Sequence, residues 1–241
     1  DLITILSSSD RLYNPQTGHL RLFCNDAWQE LERVDSYGHD IETSWLLYEA
    51  AEVLGDKALI QTVGKQSVRM VDVALAEGTN PDGSVIDEKS SKGLQRRLAW
   101  WPQCEAIVGC VNAWQITGKQ KYLDQAAKIW QFVRDNFIDR ENGEWHHYIS
   151  ASGEEQKKDP KGSLWNCPYH NSRMGFEIVN RLKPQAVHSE VMAWSNITGV
   201  RMDGELIDFE SSLRVGNPGK PMESTAREAQ NNVRYRRDGQ T

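Results

Sequence analysis

The chain has 241 residues, of which 39% are hydrophobic and 26% are charged, a composition typical of a globular fold. No run approaches eighteen apolar residues, which argues against a membrane span, and a net charge of −6 without a Lys/Arg-rich block argues against nucleic acid as a partner. The four scattered cysteines lack zinc-site spacing and indicate free thiols in a reducing compartment, the cytoplasm.

Two parts of different composition meet near Lys183. Residues 1–182 carry 20 basic and 26 acidic side chains, so the net negative charge lies there, whereas residues 183–241 carry eight of each. Helical periodicity dominates the first part, while Gly, Asn and Ser interleave with short β-type runs in the second. We expect a helical domain over 1–182, followed by an unrelated tail that is disordered or begins a β domain.

Apolar residues at three- and four-residue steps predict five helices in the first part. Asp40 and Gly55 would cap the first of them, and Pro102 and Pro168 suit the first turns of two others. The predicted helices cover residues 41–54, 57–76, 102–118, 122–137 and 168–182, and residues 144–149 have an extended pattern.

Three of the helix starts recur at a nearly constant spacing. The starts at Asp40, Trp101 and Cys167 lie 61 and 66 residues apart, which is typical of stacked helical hairpins. Alternating helices would then form an inner and an outer ring, with binding residues at the starts of the inner helices. The spacing therefore predicts an all-α fold.

The first helix start combines an imidazole with a carboxylate. His39 and Glu42 lie three residues apart, so their side chains share a helix face. A carboxylate beside an imidazole orients it, selects its tautomer and raises its pKa, as a general acid/base histidine requires. The structural alternative is that His39 helps to cap the helix and that Glu42 is a first-turn acid favoured by the helix dipole.

The second and third helix starts combine aromatic and polar groups. Residues 100–105 read Trp-Trp-Pro-Gln-Cys-Glu, which places indole faces beside hydroxyl-binding groups, as a sugar site requires. His170 and Arg173 repeat the three-residue step, and Trp165 lies on the loop before them. The alternatives are core tryptophans at a helix junction, and a buried histidine with an arginine at the rim.

Other histidines are weaker candidates. His19 follows a glycine in a turn-like stretch, and His146 and His147 lie in an extended segment where adjacent side chains face opposite sides, so at most one points inward. A metal site of the two helix-start histidines with Glu42 is disfavoured, because zinc ligands usually form closer pairs in sequence. We expect no metal.

Together, the three clusters resemble the N-acylglucosamine 2-epimerase superfamily, and within it most closely the cellobiose 2-epimerases. The stretch Thr17–Phe23 and the motif at residues 143–145, Gly-Glu-Trp, are also similar, and the match runs over about residues 1–182. The resemblance implies an (α/α)6 barrel. It also implies a cofactor-free, reversible inversion at C2 of the reducing-end aldose of a β-1,4-linked disaccharide, such as cellobiose to glucosyl-mannose.

The resemblance implies roles for individual residues as well. His39 and His170 would be the two acid/base histidines, and Glu42 the carboxylate that supports the first. After ring opening, one imidazole would remove the C2 proton to give an enediolate, and the other would return a proton on the opposite face. The implied substrate-binding positions are Trp100 or Trp101, Glu105, Trp165 and Arg173.

The chain has room for about three hairpins of the six-hairpin barrel before Lys183. We therefore expect a partial barrel with impaired activity, which self-associates through its exposed half-barrel surface. Alternative functions are an N-acylglucosamine 2-epimerase, a mannose-type aldose–ketose isomerase and a non-catalytic sugar-binding fragment. An α/α-barrel glycoside hydrolase is disfavoured because it needs two carboxylates where these helix starts present histidines. The expected partner is a disaccharide or monosaccharide substrate.

Overall fold

The computed structural model describes residues 7–8, 11–95, 97–150 and 160–182. The chain divides into two compact units, Asp1–Gly175 and Phe176–Thr241. The tail expected over residues 183–241 lies outside the described residues, so its boundary stays a prediction. None of the helices in the described ranges combines the length and apolar character that a membrane span requires.

The described ranges contain five helices, as the periodicity predicts. Gly55 and Gly118 follow the first and third with φ of 73° and 69°, a left-handed conformation that glycine adopts without a Cβ clash. The second helix is capped by Asp56, whose carboxylate accepts hydrogen bonds from the next turn. The helices are α1 (Tyr37–Leu54), α2 (Lys57–Gly78), α3 (Trp100–Thr117), α4 (Gln120–Asn136) and α5 (Tyr169–Leu182).

The start of α1 differs from the prediction. Its N-cap is Ser36, whose Oγ accepts a hydrogen bond from the His39 backbone N–H at 3.5 Å, so the helix begins four residues earlier than expected. Asp40 lies within the first turn and is 1% exposed. Its carboxylate accepts hydrogen bonds from the His19 ring at 2.6 Å and the Leu20 backbone at 2.8 Å. The prediction of Asp40 as the cap is wrong because a tertiary contact uses that carboxylate.

Short antiparallel strands brace the starts of α1 and α3. The strand that leads into α1 pairs with one in the α2–α3 connection, and the strand that leads into α3 pairs with one after α4. The extended pattern expected over 144–149 forms a strand only at its end. The strands are β1 (Phe23–Cys24), β2 (Glu30–Glu32), β3 (Asp35–Ser36), β4 (Glu88–Ser90), β5 (Gly93–Leu94), β6 (Leu98–Ala99) and β7 (Tyr148–Ile149).

The helices pack as hairpins, α1 with α2 and α3 with α4, and α1 also packs on α3. Helix α3 buries 13 of its 18 residues, whereas α2 and α4 each bury one face. Gly109 permits the close approach of α1 to α3, because a Cβ there would lie 2.6 Å from Ile41 Cγ2. The Trp45 indole N–H donates to Glu105 Oε2 at 3.0 Å across the same interface. The predicted helical hairpins are therefore confirmed.

Candidate active site

The starts of α1, α3 and α5 bring two histidines and one indole together. The ring of Trp101, in the first turn of α3, lies 4.8 Å from the ring of His39 and 5.6 Å from that of His170, between centroids. Gly38 makes room for the indole, since a Cβ there would lie 2.4 Å from Trp101. Trp101 is partly exposed, so it borders both imidazoles and retains a face for a ligand.

His39 is exposed in the first turn of α1. Its Nδ1 lies 2.8 Å from Ser36 Oγ, which also caps the helix. In the tautomer that carries the proton on Nδ1, the ring donates to this hydroxyl and Nε2 presents its lone pair outward. Such a ring can take a proton from a bound molecule and return it.

His170 is half-buried in the first turn of α5 and is held by a buried carboxylate. Its Nδ1 lies 2.7 Å from Glu105 Oε1, and Glu105 is 1% exposed. This contact fixes the ring orientation and places the proton on Nδ1, which again leaves Nε2 for proton transfer. Both histidines are thus anchored through the same ring atom.

Arg173 joins the carboxylates of two helices. Its Nη2 donates to Glu105 Oε1 at 2.7 Å and to Glu42 Oε1, while Nη1 donates to Tyr169 Oη at 2.8 Å. Burial acts to lower the pKa of Arg173, but the hydrogen bonds and charges of Glu105 and Glu42 raise it above its usual range. The guanidinium is therefore a permanent cation one helical turn from His170.

The partner expected for His39 is placed elsewhere. Glu42 contacts Arg173, and the group hydrogen-bonded to the His39 ring is Ser36. The structure therefore does not show the direct contact between Glu42 and His39 that the sequence analysis expects. Arg173, 131 residues further along the chain, offers this carboxylate a full positive charge, which attracts it more strongly than a neutral imidazole does.

Two expected sugar contacts are buried. Trp100 is 3% exposed and packs edge-on against His147 and Tyr148, so the core alternative describes it better than a sugar-stacking role. Glu105 is 1% exposed, and its oxygens serve other side chains, so it orients the site rather than contacts a ligand. Trp165 is 79% exposed on the loop before α5.

The sequence reasoning missed two polar residues beside the candidate site. Tyr169 precedes His170 directly and places its ring 4.6 Å from the Arg173 guanidinium. Asp87, just before β4, interacts with Trp101, and burial raises its pKa to about 7 with a further contribution from Glu88. A carboxylate in this connection has no sequence signal of its own, because its burial depends on the packing of α3.

Three side chains of the candidate site lie close enough together to be possible ligands of a metal ion. Glu42, Glu105 and His170 each offer one ligand atom, and these atoms lie within 4.8 Å of one another. Arg173 already bonds both carboxylates, so its guanidinium supplies the positive charge at this position. A metal ion there would have to displace these ion pairs.

Comparisons with known proteins match this fold. The cellobiose 2-epimerase of Bacteroides fragilis is 38% identical over 173 residues, which cover 71% of this chain and 44% of that protein. The crystal structure of a sugar epimerase from a ruminal bacterium has a TM-score of 0.71 at 30% identity, over 75% of this chain and 46% of that chain. The cellobiose 2-epimerase of Bacillus thermoamylovorans B4167 has a TM-score of 0.69 at 33% identity, over 75% and 45%.

These matches define the fold and the family. The solved neighbours are (α/α)6 barrels, so the all-α prediction of a partial (α/α)6 barrel is confirmed. The chain spans about half the length of the curated relatives it matches. The sequence model for N-acylglucosamine 2-epimerase matches residues 10–171. The chain belongs to the N-acylglucosamine 2-epimerase family.

Proposed function

We propose that this chain carries the two-histidine centre of a carbohydrate 2-epimerase, an isomerase that reversibly inverts C2 of the reducing-end aldose of a β-1,4-linked disaccharide such as cellobiose. The observation that carries the proposal is a pair of histidines beside Trp101. His39 lies at the start of α1 and His170 at the start of α5, and each ring is anchored through Nδ1. Because the two Nε2 atoms belong to different helices, they can serve opposite faces of one carbon.

The chemistry starts from the open-chain sugar, in which the C1 carbonyl makes the C2 proton acidic. One imidazole takes that proton and an enediolate forms; the other imidazolium returns a proton from the opposite side and inverts the centre. Imidazole titrates near neutrality, so each ring serves as base in one direction and as acid in the other. The charge of Arg173 favours the negative oxygen that develops, and the exposed face of Trp101 suits the sugar ring.

Incubation with cellobiose in D₂O tests this proposal. Epimerisation through an enediolate gives 4-O-β-glucosyl-mannose that carries deuterium at C2, detected by NMR and mass spectrometry. Replacement of either histidine, His39→Asn or His170→Asn, is expected to lower the rate at least about 100-fold. The exposed-turn variant Glu141→Gln is the control, and retention of the rate in His170→Asn would contradict the proposal.

The same assay separates the alternative substrates. An N-acylglucosamine 2-epimerase would act on N-acetylglucosamine rather than cellobiose, and a mannose-type isomerase would give a ketose because the proton returns to C1. A non-catalytic sugar-binding fragment would bind the sugar in calorimetry but exchange no deuterium. Cleavage of the glycosidic bond would identify a hydrolase.

We also propose that the isolated chain is less active than the relatives, of which it spans about half the length. The support is that the chain spans 44% of the Bacteroides fragilis relative, so other parts of such a barrel can contribute to substrate binding. Turnover of cellobiose by the purified chain at the rate of a full-length relative, measured side by side, would contradict this proposal.

Self-association of the chain is proposed from its exposed apolar side chains. Leu31, Val53 and Leu54 are 69%, 83% and 60% exposed, and apolar side chains that remain in water favour association. Light scattering coupled to gel filtration is expected to give a mass above that of one chain. A single species of 27.5 kDa at all concentrations would contradict the proposal.

A cytoplasmic location is proposed because all four cysteines are free, as is usual in a reducing compartment. Mass spectrometry of the protein isolated from its source under non-reducing conditions tests this. A native disulfide would contradict the proposal.

A further inference from the structure

His19 is a buried imidazole that the proposed reaction does not use. It lies in the loop before α1, is 2% exposed, and its Nδ1 is 2.6 Å from Asp40 Oδ2. On its other side, Nε2 lies 3.6 Å from Glu77 Oε2 at the end of α2. The ring also packs 5.9 Å from the ring of Tyr37, between centroids. One imidazole therefore contacts both helices of the first hairpin.

Three carboxylates face this imidazole, from three elements. They are Asp40 on α1, Asp35 on β3 and Glu77 on α2, and Arg33 pairs with Asp35 at 3.2 Å. Burial acts to lower the pKa of His19, but the hydrogen bond and charge of Asp40, with the other two carboxylates, raise it. Burial also raises the pKa of Asp40, so both shifts keep a proton within the pair.

The pair connects a loop to the turn that carries His39. The loop is closed by a bridge between Tyr13 and Leu20, and the Leu20 N–H donates to Asp40 Oδ1 at 2.8 Å. Asp40 follows His39 directly in sequence and accepts hydrogen bonds on both oxygens from this loop. Any rotation of the first turn of α1 would break these two bonds.

We propose that His19 is a positioning residue for His39: as an imidazolium bound to Asp40, it locks the first turn of α1 and thereby sets the direction of the His39 ring. The inference rests on the proposed function for its catalytic meaning. The bond from Ser36 to the His39 ring belongs to the same lock, because Ser36 adjoins Asp35, which faces His19. Loss of the proton or of the imidazole frees this turn.

The test uses the full chain with isotope-labelled histidine, followed by NMR. In His19→Gln, the ring signals of His39 are expected to move from their positions in the parent, because the first turn of α1 is no longer held. The value of kcat is expected to fall about tenfold with KM within about twofold, because proton transfer depends on ring direction more than sugar binding does. His146→Gln, a histidine outside this cluster, is the matched control and leaves both unchanged.

A purely structural role gives a different result. If His19→Gln lowers the melting temperature while the His39 ring signals stay as in the parent, the proposal is overturned. If His19→Gln does not fold, Glu77→Gln replaces it, since that side chain is 45% exposed. Glu77→Gln is expected to lower the pH at which His19 loses its proton, because one of the facing carboxylates is removed. At pH values above that midpoint, the ring signals of His39 are expected to move. Unmoved His39 signals overturn the proposal.

The ring signals also separate this proposal from the proposed function. A chain that exchanges no deuterium at C2 of any sugar contradicts the epimerase assignment, yet the coupling between His19 and His39 is still read from the NMR titrations. Conversely, if the chain is active but its His39 signals do not change in His19→Gln, the epimerase proposal stands and the positioning role of His19 is refuted.

Discussion

Glu105, on α3, accepts hydrogen bonds from Trp45 on α1 and from His170 and Arg173 on α5, while only 1% of its surface is exposed. A carboxylate is costly to bury unless charged or polar donors surround it. The carboxylate in turn holds its donors in place, because a donor that moved away would lose its buried hydrogen-bond acceptor. Glu105, which the sequence analysis expects to bind a sugar, therefore positions His170 and Arg173 instead.

Replacing this carboxylate by an amide tests that role. Glu105→Gln keeps the size but removes the charge, so Arg173 retains one carboxylate and His170 loses the anion that orients it. We expect the free energy of unfolding to fall by about 1–3 kcal/mol and kcat for epimerisation to fall at least about tenfold. Urea unfolding and the deuterium assay measure the two effects. Glu141→Gln, in an exposed turn, is the matched control, and equal behaviour of the two variants would refute the role.

Asp87 makes stability depend on pH near neutrality. Burial raises its pKa from 3.8 to about 7, with Glu88 adding to the shift and Trp101 opposing it. Between these values the folded chain binds a proton that the unfolded chain has released, so stability falls as pH rises from 4 to 7. Asp87→Asn removes this cost. We expect the variant to be about 4 kcal/mol more stable than the parent at pH 8, and equal to it near pH 4.

Thermal unfolding of parent and variant at both pH values checks this expectation. The amide still offers an oxygen to the Trp101 indole, so the contact is retained while the charge is lost. A variant that is less stable than the parent at pH 8 would show that the ionised carboxylate is the favoured form, contrary to the raised pKa.

At the scale of the helices, the contact between α1 and α3 sets the distance across the candidate site. Gly109 lies where α3 meets Ile41, and a Cβ there would come within 2.6 Å of the Ile41 side chain. One helical turn earlier, Glu105 receives the Trp45 hydrogen bond from α1. Any spreading of the two helices at Gly109 would therefore lengthen that bond as well.

A pair of glycine variants separates packing from helix propensity. Gly109→Ala is expected to lower the free energy of unfolding by about 1–3 kcal/mol, because the added methyl overpacks the interface. Gly175→Ala, in α5, meets nothing within 4 Å among the described residues and is expected to raise it by up to about 1 kcal/mol through helix propensity. Chemical denaturation measures both, and a neutral or stabilising Gly109→Ala would contradict the close contact.

At the scale of the whole molecule, hydrophobic periodicity and helix-ending residues predict the helices well, but they predict the contacts between distant side chains poorly. The five helices and the glycines that end α1 and α3 follow from patterns within one segment. The partners of Asp40, Glu42 and Glu105 do not, because they lie 21, 131 and 65 residues away. These carboxylates bind donors that are distant in sequence, and a local motif does not contain such donors.

The four cysteines report how cooperatively these contacts hold the chain together. Cys104 and Cys110 are buried on α3, and burial raises the pKa of Cys110 to about 12 and that of Cys104 well above its usual value, whereas Cys24 and Cys167 are partly exposed. Thiolates are the reactive form, so a thiol reagent at pH 8 is expected to label two cysteines quickly and four after denaturation.

Slow labelling of the buried pair then requires opening of the α3 packing. If that opening is the same event as unfolding, Gly109→Ala accelerates the labelling of Cys104 and Cys110 in proportion to its loss of stability, and Gly175→Ala slows it. Peptide mass spectrometry at timed intervals identifies which thiols react. Fast labelling of all four in the native chain would mean that α3 opens independently of the rest, and the candidate site would then lack the rigid helix on which Trp101 and Glu105 depend.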